Sequence, residues 1–220
     1  MEKYPRTFHL SFSQEIFSDD KMLSKEIEKS FTNTDIVITE KMDGGNTCLF
    51  DGKVFTRTHS EETFHPSFSR VKELYNSILY TKDFDFSRYK LFGENVQAIH
   101  SIEYEKLNSP FYLFNILDIK NKEFLSYKEV IDISNYLELK MVKEEFLGQF
   151  KTLGELKLFL VRKISIPSYY GGKKEGFVIR KTNSFKYNSF SENVCKFVRK
   201  NHVQSDEHWS NNWKEQKIIV

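Results

Sequence analysis

The chain has 220 residues, 33 of them Lys or Arg against 31 Asp or Glu, for a formal charge of +2, and 39% are hydrophobic. That length suits one domain with a real core or a domain with a small appendage, and the composition excludes a disordered chain. The near-neutral balance means that any nucleic-acid surface must come from clustered cations and not from bulk charge.

No apolar run approaches the roughly 20 residues that span a bilayer. The stretch from Met1 to Leu10 lacks the apolar core of a signal peptide, so a cytoplasmic protein without membrane contact is expected. Cys48 and Cys195 each lie in an apolar alternating run, the ordinary setting of a small buried side chain, and no disulfide framework is indicated.

Residues 1–20 read as an extended arm containing Pro5 and ending at Asp19 and Asp20, where a helix start is expected. Met22, Leu23, Ile27 and Phe31 then fall near helical spacing and predict a short amphipathic helix over 21–31. An apolar run from Ile36 leads to Glu40 and Lys41, followed by the turn signal Asp43-Gly44-Gly45, an alternating run over 46–50, the pair Asp51-Gly52 and a run over 53–58. Asp-Gly between alternating runs is a strong hairpin signal. Three consecutive antiparallel strands are therefore expected, with Lys41 and Arg57 at neighbouring ends.

Residues 59–68, with His59 and His65, read as loop, and Val71, Leu74, Tyr75 and Ile78 predict a helix over 69–79. A strand is expected over 89–94, and the apolar, aromatic-rich run over 111–117 predicts a buried one. Ser126 with Glu129, and Thr152 with Glu155, are capping-box pairs that open helices to about Leu137 and Lys163. Strands over 175–181 and 193–199 follow, then a tail over 201–220 without periodicity. The fold class is α+β, antiparallel strands with helices inserted between them.

A lysine at a strand end before a polar turn is by itself ordinary surface chemistry. Lys41-Met42-Asp43-Gly44, however, resembles motif I (Lys-x-Asp-Gly) of the covalent nucleotidyltransferase superfamily, which includes ATP-dependent RNA and DNA ligases and mRNA capping enzymes. Five further places resemble the RNA ligase family. The resemblance makes Arg57 (motif Ia) and Glu94 in FGEN (motif III) ribose contacts, and Phe114 in YLFNILD (motif IIIa) the ring that stacks on adenine. It makes Glu175 in EGFVIR (motif IV) the carboxylate that serves the metal and the lysine, and Lys196 in CKFVR (motif V) the cation that neutralises the α-phosphate. Glu40, just before the nucleophile, would meet the adenine edge.

Phosphoryl transfer asks for the same parts: a nucleophile, cations near the phosphate, carboxylates for a divalent metal and a flat apolar surface for the base. The attacking amine must be neutral, which calls for desolvation or nearby cations. One departure is that motif V usually reads Lys-x-Lys, whereas Val198 holds the second place and Arg199 follows. Alternation puts Arg199 and Lys196 on opposite faces, which makes Arg199 a substrate contact or leaves Lys181, Lys186 or Lys200 to supply the missing charge.

The resemblance implies one nucleotidyltransferase domain over 1–220, an antiparallel-sheet, ATP-grasp-like adenylyltransferase with an N-terminal arm over 1–20 and a tail over 201–220. The chain ends about twenty residues after motif V, so no OB domain is expected, which favours the compact bacterial and phage type of RNA ligase. It further implies ATP, Mg²⁺ or Mn²⁺, and RNA with 5′-phosphate and 3′-hydroxyl ends joined through lysyl-AMP and RNA-adenylate. A monomer is expected, with an end-healing kinase as a compatible partner. The alternatives are a DNA nick ligase, a GTP-using capping enzyme, or an inactive RNA-end binding module. In the tail, His202, Asp206, Glu207 and His208 match no zinc spacing, and Trp209 and Trp213 either pack on the core or stack on RNA.

Overall fold

The computed structural model describes residues 2–57, 61–200 and 213–219. In chain order the elements are β1 (Phe8–His9), α1 (Lys25–Lys29), β2 (Ile36–Lys41), β3 (Gly45–Phe50), β4 (Lys53–Thr56), α2 (Ser69–Thr81) and β5 (Tyr89–Asn95). Next come β6 (Ala98–Ile99), β7 (Phe111–Asp118), β8 (Glu123–Phe124), α3 (Tyr127–Leu137), β9 (Glu144–Gly148) and α4 (Leu153–Lys163). The last are β10 (Gly176–Lys181), β11 (Phe185–Lys186), α5 (Phe190–Asn193), β12 (Val194–Val198) and β13 (Lys214–Glu215).

Two sheets carry the fold. One has the order β1-β12-β10-β2-β9, antiparallel except for the parallel pair β1 and β12; the other has the order β11-β8-β7-β5-β3-β4 and is antiparallel throughout. Each buries one face under helices. Val71, Tyr75 and Ile78 of α2 and Val130 and Leu137 of α3 cover Leu49, Leu91, Leu113 and Ile116. Leu156 and Leu160 of α4, with Phe31, cover Ile36, Ile38, Phe177, Ile179, Cys195 and Phe197. Each such side chain removed from water contributes about 1.5–3 kcal/mol. The opposite faces meet over Cys48, Phe92, Leu117, Phe124 and Val194, and leave a cleft where they diverge.

The expectation of three consecutive antiparallel strands holds for β3 and β4 alone. Asp51 and Gly52 adopt φ of 46° and 72°, and their hairpin pairs Phe50 with Lys53. The turn at Asp43-Gly44-Gly45 instead carries the chain from one sheet to the other, since β2 pairs with β10 and β9, and β3 pairs with β4 and β5. Its polar groups find partners far along the chain: Asp43 Oδ2 accepts the Ser101 and Ile102 N–H groups at 2.6 Å each, and the Asp43 N–H donates to the Tyr104 hydroxyl at 2.8 Å. A Cβ on Gly44 would lie 2.4 Å from the Asn95 carbonyl oxygen, so only glycine allows this approach to β5.

The helix expected over 21–31 is shortened to α1, because Ser24, not Asp20, accepts the capping N–H, from Ile27 at 3.3 Å. The arm is not free: β1 adds a parallel strand beside β12. The helix from Ser126 has the full reciprocal box, Ser126 Oγ accepting the Glu129 N–H and Glu129 accepting the Ser126 N–H. At Thr152 the box is half formed, since the Glu155 carboxylate takes the Lys151 N–H instead. The edge strand β9 and the two-residue strands have no expectation in the sequence, their runs being too short to show a period. Readings of His59, His202, Asp206, Glu207, His208 and Trp209 fall outside the described residues, while Trp213 is half-buried with its ring 6.2 Å from that of His65. No helix among the described residues is long and apolar enough to cross a membrane.

Candidate active site

Strand alternation builds the cleft. With Ile36, Ile38, Phe177, Ile179, Cys195 and Phe197 turned to the helices, Val37, Thr39, Lys41, Val178, Arg180, Val194 and Lys196 face the second sheet. Together with Asn46, Glu94 and Phe114 from the facing sheet they line a cavity of about 800 Å³.

Lys41 ends β2 opposite Gly176, whose position admits no Cβ because the Phe197 carbonyl oxygen would lie 2.1 Å away. Glu175, one residue earlier, grips the amine with both oxygens, at 2.6 and 2.7 Å from Nζ. Burial pulls the Lys41 pKa down, but the Glu175, Glu94 and Asp43 carboxylates outweigh it and leave the amine above its usual range. Of the two settings expected for such an amine, desolvation or nearby cations, burial is present, while the charges closest to the amine are carboxylates and its hydrogen-bond partner is an acid.

Glu94 feels the other side of that crowding. Burial first, and then Glu175 and Asp43, push its carboxyl up to about 8 despite Lys41 and Arg57. Asp43, Glu94 and Glu175 thus bring hard oxygen donors and excess negative charge around one amine. Among the described residues no group of three or more His, Cys, Asp and Glu forms a ready-made metal cage. Carboxylate oxygens are the donors that a small hard cation takes, completed by water and phosphate oxygens.

Arg57 is exposed just past β4 and borders the cleft, and Phe114 is half-buried on β7 with its ring 5.0 Å from that of Tyr4, edge to face. Lys196 projects from β12 and is held 3.2 Å from Asp20; burial lowers its pKa while Asp20 opposes. Glu40 borders the cleft, but its carboxylate is not among this group: Oε1 accepts the Ser168 hydroxyl at 2.5 Å, and burial pushes its pKa up. Arg199 donates from Nε to the Lys174 carbonyl at 2.9 Å and does not line the cleft. Lys181 and Lys186 reach Ser30 and Glu123 outside it.

Two contributors escaped the sequence reading. Arg180, 4% exposed, has its Nη2 on the Leu125 carbonyl, while Nε and Nη1 have no hydrogen-bond partner among the described residues; burial lowers its pKa to about 10. Counting faces along EGFVIR puts it on the same side as Val178, two residues earlier, but only the cleft gives that side a role. Tyr4 places its ring among Phe92, Phe114, Phe124 and Phe190, and nothing local in the arm announces it.

The RNA ligase family model matches residues 34–198. No curated protein matches the chain significantly. Among solved structures, a variant of the Naegleria gruberi RNA ligase with ATP and Mn is similar with a TM-score of 0.60 at 16% identity, over 91% of this chain and 59% of that one. The same ligase with PPi gives a TM-score of 0.57 at 19% identity, over 88% and 59%. A protein of Aquifex aeolicus described as an ATP-dependent DNA ligase gives 0.55 at 16%, over 90% and 50%. At such identities the likeness is one of fold, and the chain spans about 59% of the length of the first of these structures.

Proposed function

The chain belongs to the RNA ligase family, and from that premise we propose that it joins RNA ends with ATP as the source of AMP. The Lys41 amine attacks the α-phosphorus of ATP, forming a P–N bond as the bond to pyrophosphate breaks. The AMP then passes to an RNA 5′-phosphate, and a 3′-hydroxyl displaces it to form the phosphodiester. One observation carries this reading: a single amine on a strand end, gripped by Glu175 and surrounded by carboxylates, in a cleft that also holds Lys196, Phe114 and Arg57.

In this arrangement Glu175 keeps Lys41 protonated and aimed, so the proton must leave before attack. A divalent cation, Mg²⁺ or Mn²⁺, held by Glu175 and Glu94 would supply positive charge beside the phosphates and loosen the hold of those carboxylates on the Lys41 proton. Lys196 would neutralise the phosphate, Phe114 would stack on the base, and Arg180 would offer the N–H groups of Nε and Nη1 to the base edge. We take residues 1–220 to act as one nucleotidyltransferase unit and as a monomer, on 5′-phosphate ends that a kinase can provide.

The test is incubation with labelled ATP or GTP and Mg²⁺, followed by nicked RNA and nicked DNA duplexes. Covalent label from ATP, absent in Lys41→Ala, with sealing of RNA, is the expected result. Sealing of DNA alone would move the protein to the DNA ligases, with whose fold it also agrees. Label from GTP would move it to the capping enzymes, and no adduct from either nucleotide would leave a binding module.

A further inference from the structure

Apart from the Tyr4 ring, the N-terminal segment carries none of the residues assigned above, yet it is built against the strand that holds Lys196. In the parallel pair of β1 and β12, His9 is the register partner of Lys196. His9 is 1% exposed, and its Nε2 lies 3.2 Å from Asp20 Oδ2, an electrostatic contact at charge-pair distance outside hydrogen-bond geometry. The other oxygen, Asp20 Oδ1, lies 3.2 Å from Lys196 Nζ. Across the ring, His9 Nδ1 lies 2.9 Å from Ser13 Oγ, which also accepts the Val198 N–H at 2.9 Å. Asp20 is tied a third time, by the Phe17 N–H to Oδ2 at 3.1 Å. The chain Val198, Ser13, His9, Asp20, Lys196 therefore leaves β12 at one residue and returns to it at another.

The hydrogens in this chain follow from its ends. Burial and Lys196 hold His9 below its ordinary pKa, so the ring is neutral and has one proton to place. The carboxylate beside Nε2 favours the tautomer with its proton on that nitrogen, in which the Ser13 hydroxyl donates to Nδ1. Asp20 borders the cleft and takes one of the three donors of the Lys196 ammonium, leaving two for a phosphate.

We propose that Asp20, aimed by His9, is the positioning residue of Lys196 during lysine adenylylation. The proposal rests on the reading that Lys196 meets the phosphate. A lysine has a long flexible stem, and an anchor at its tip holds the charge where the reaction needs it without filling its remaining donors. Among the described residues the titratable groups that face Lys196 are Asp20 and the neutral His9 from the N-terminal segment, Lys41 from β2 and Glu175 from the start of β10. Burial and Lys41 favour the neutral amine; Asp20 and Glu175 favour the charged one.

The experiment measures AMP loading from labelled ATP and Mg²⁺ against pH, with thermal unfolding alongside, for Asp20→Asn, Asp20→Ala, His9→Leu, His9→Gln and Lys196→Ala. Asp20→Asn and Asp20→Ala are expected to load AMP roughly 10–100-fold more slowly, the scale on which lost outer partners act, with little change in unfolding temperature. The alkaline limb of the profile moves to lower pH, because the Lys196 proton has lost its counter-charge, while the acid limb stays. His9→Leu shifts both readouts in the same direction by less, and His9→Gln, which keeps an N–H donor, restores them. Wild-type loading with an unmoved alkaline limb in Asp20→Asn overturns the proposal, as do losses that merely track unfolding temperature. If Lys196→Ala loads AMP normally, the reading of Lys196 itself fails; if it is inactive while the Asp20 variants are normal, this proposal alone fails.

Discussion

Glu94→Gln isolates the electrostatic cost of the carboxylate crowd. The Glu94 carboxyl rises from its ordinary 4.5 to about 8, chiefly by burial and then by Glu175 and Asp43. Its folded-state pKa thus lies above the unfolded one. The folded protein binds more protons than the unfolded chain between these values, and the stability that Glu94 contributes is present below pH 4.5 and lost as the pH rises through 8. A shift of about 3.5 units at about 1.4 kcal/mol each gives an upper figure of ~5 kcal/mol. Glu94 keeps an opening to the water of the cleft, so screening trims this to roughly 2–3 kcal/mol. The assay is denaturant unfolding in a chelator, at about pH 6 and pH 8.5, a window that straddles the raised pKa. Wild type should lose stability across that interval and Glu94→Gln should lose roughly 1–2 kcal/mol less, because only the part of the rise that lies above pH 6 is crossed, with Mg²⁺ narrowing the gap by binding the ionised carboxylate. Parallel slopes for the two proteins, without metal, would show that Glu94 titrates as an ordinary carboxylate and refute the reasoning.

Lys41→Ala is expected to abolish label transfer from ATP while circular dichroism stays unchanged, because the amine lies at a strand end and faces the cleft; AMP uptake by the variant would place the nucleophile elsewhere. Phe114→Ala should weaken ATP use by the 1–3 kcal/mol typical of one stacked base, about 5–150-fold, and spare the joining of pre-adenylylated RNA. Equal losses in both assays would assign the ring to packing with Tyr4. Arg199→Ala should load AMP at nearly the normal rate, since its Nε is spent on the Lys174 carbonyl away from the cleft. Sealing should weaken, most at low salt where the lost phosphate contact counts for more, with a shallower salt dependence of RNA binding. AMP loading lost as completely as in Lys196→Ala would place Arg199 in the phosphate site.

Where a signal and its partner lie within a few residues, the sequence alone determined the outcome. The capping box of α3 joins residues three apart, and the helix starts and stops where that pair and the apolar spacing put it. Asp51-Gly52 closes its hairpin because positive φ at both positions matches the strand twist. The run over 111–117 is a central strand because it has no polar face to leave in water. The types of residue that a phosphoryl-transfer site needs were legible too, each on its own strand.

Tertiary structure decided what each of these meets. The turn after Lys41 has hairpin composition, yet it crosses between sheets because Asp43 is satisfied by backbone about sixty residues later and because apolar faces pair β2 with β10. Lys41 and Glu175 lie 134 residues apart, so the sign of the charge around the amine could not be read from motif I. The same holds for Arg180, whose importance depends on a cleft that exists only when both sheets face each other, and for Asp20, read as a helix start and found on Lys196. Local hydrogen bonds write themselves into neighbouring residues. Distant ones are chosen by which apolar surfaces bury together, and no stretch of this chain states that choice alone.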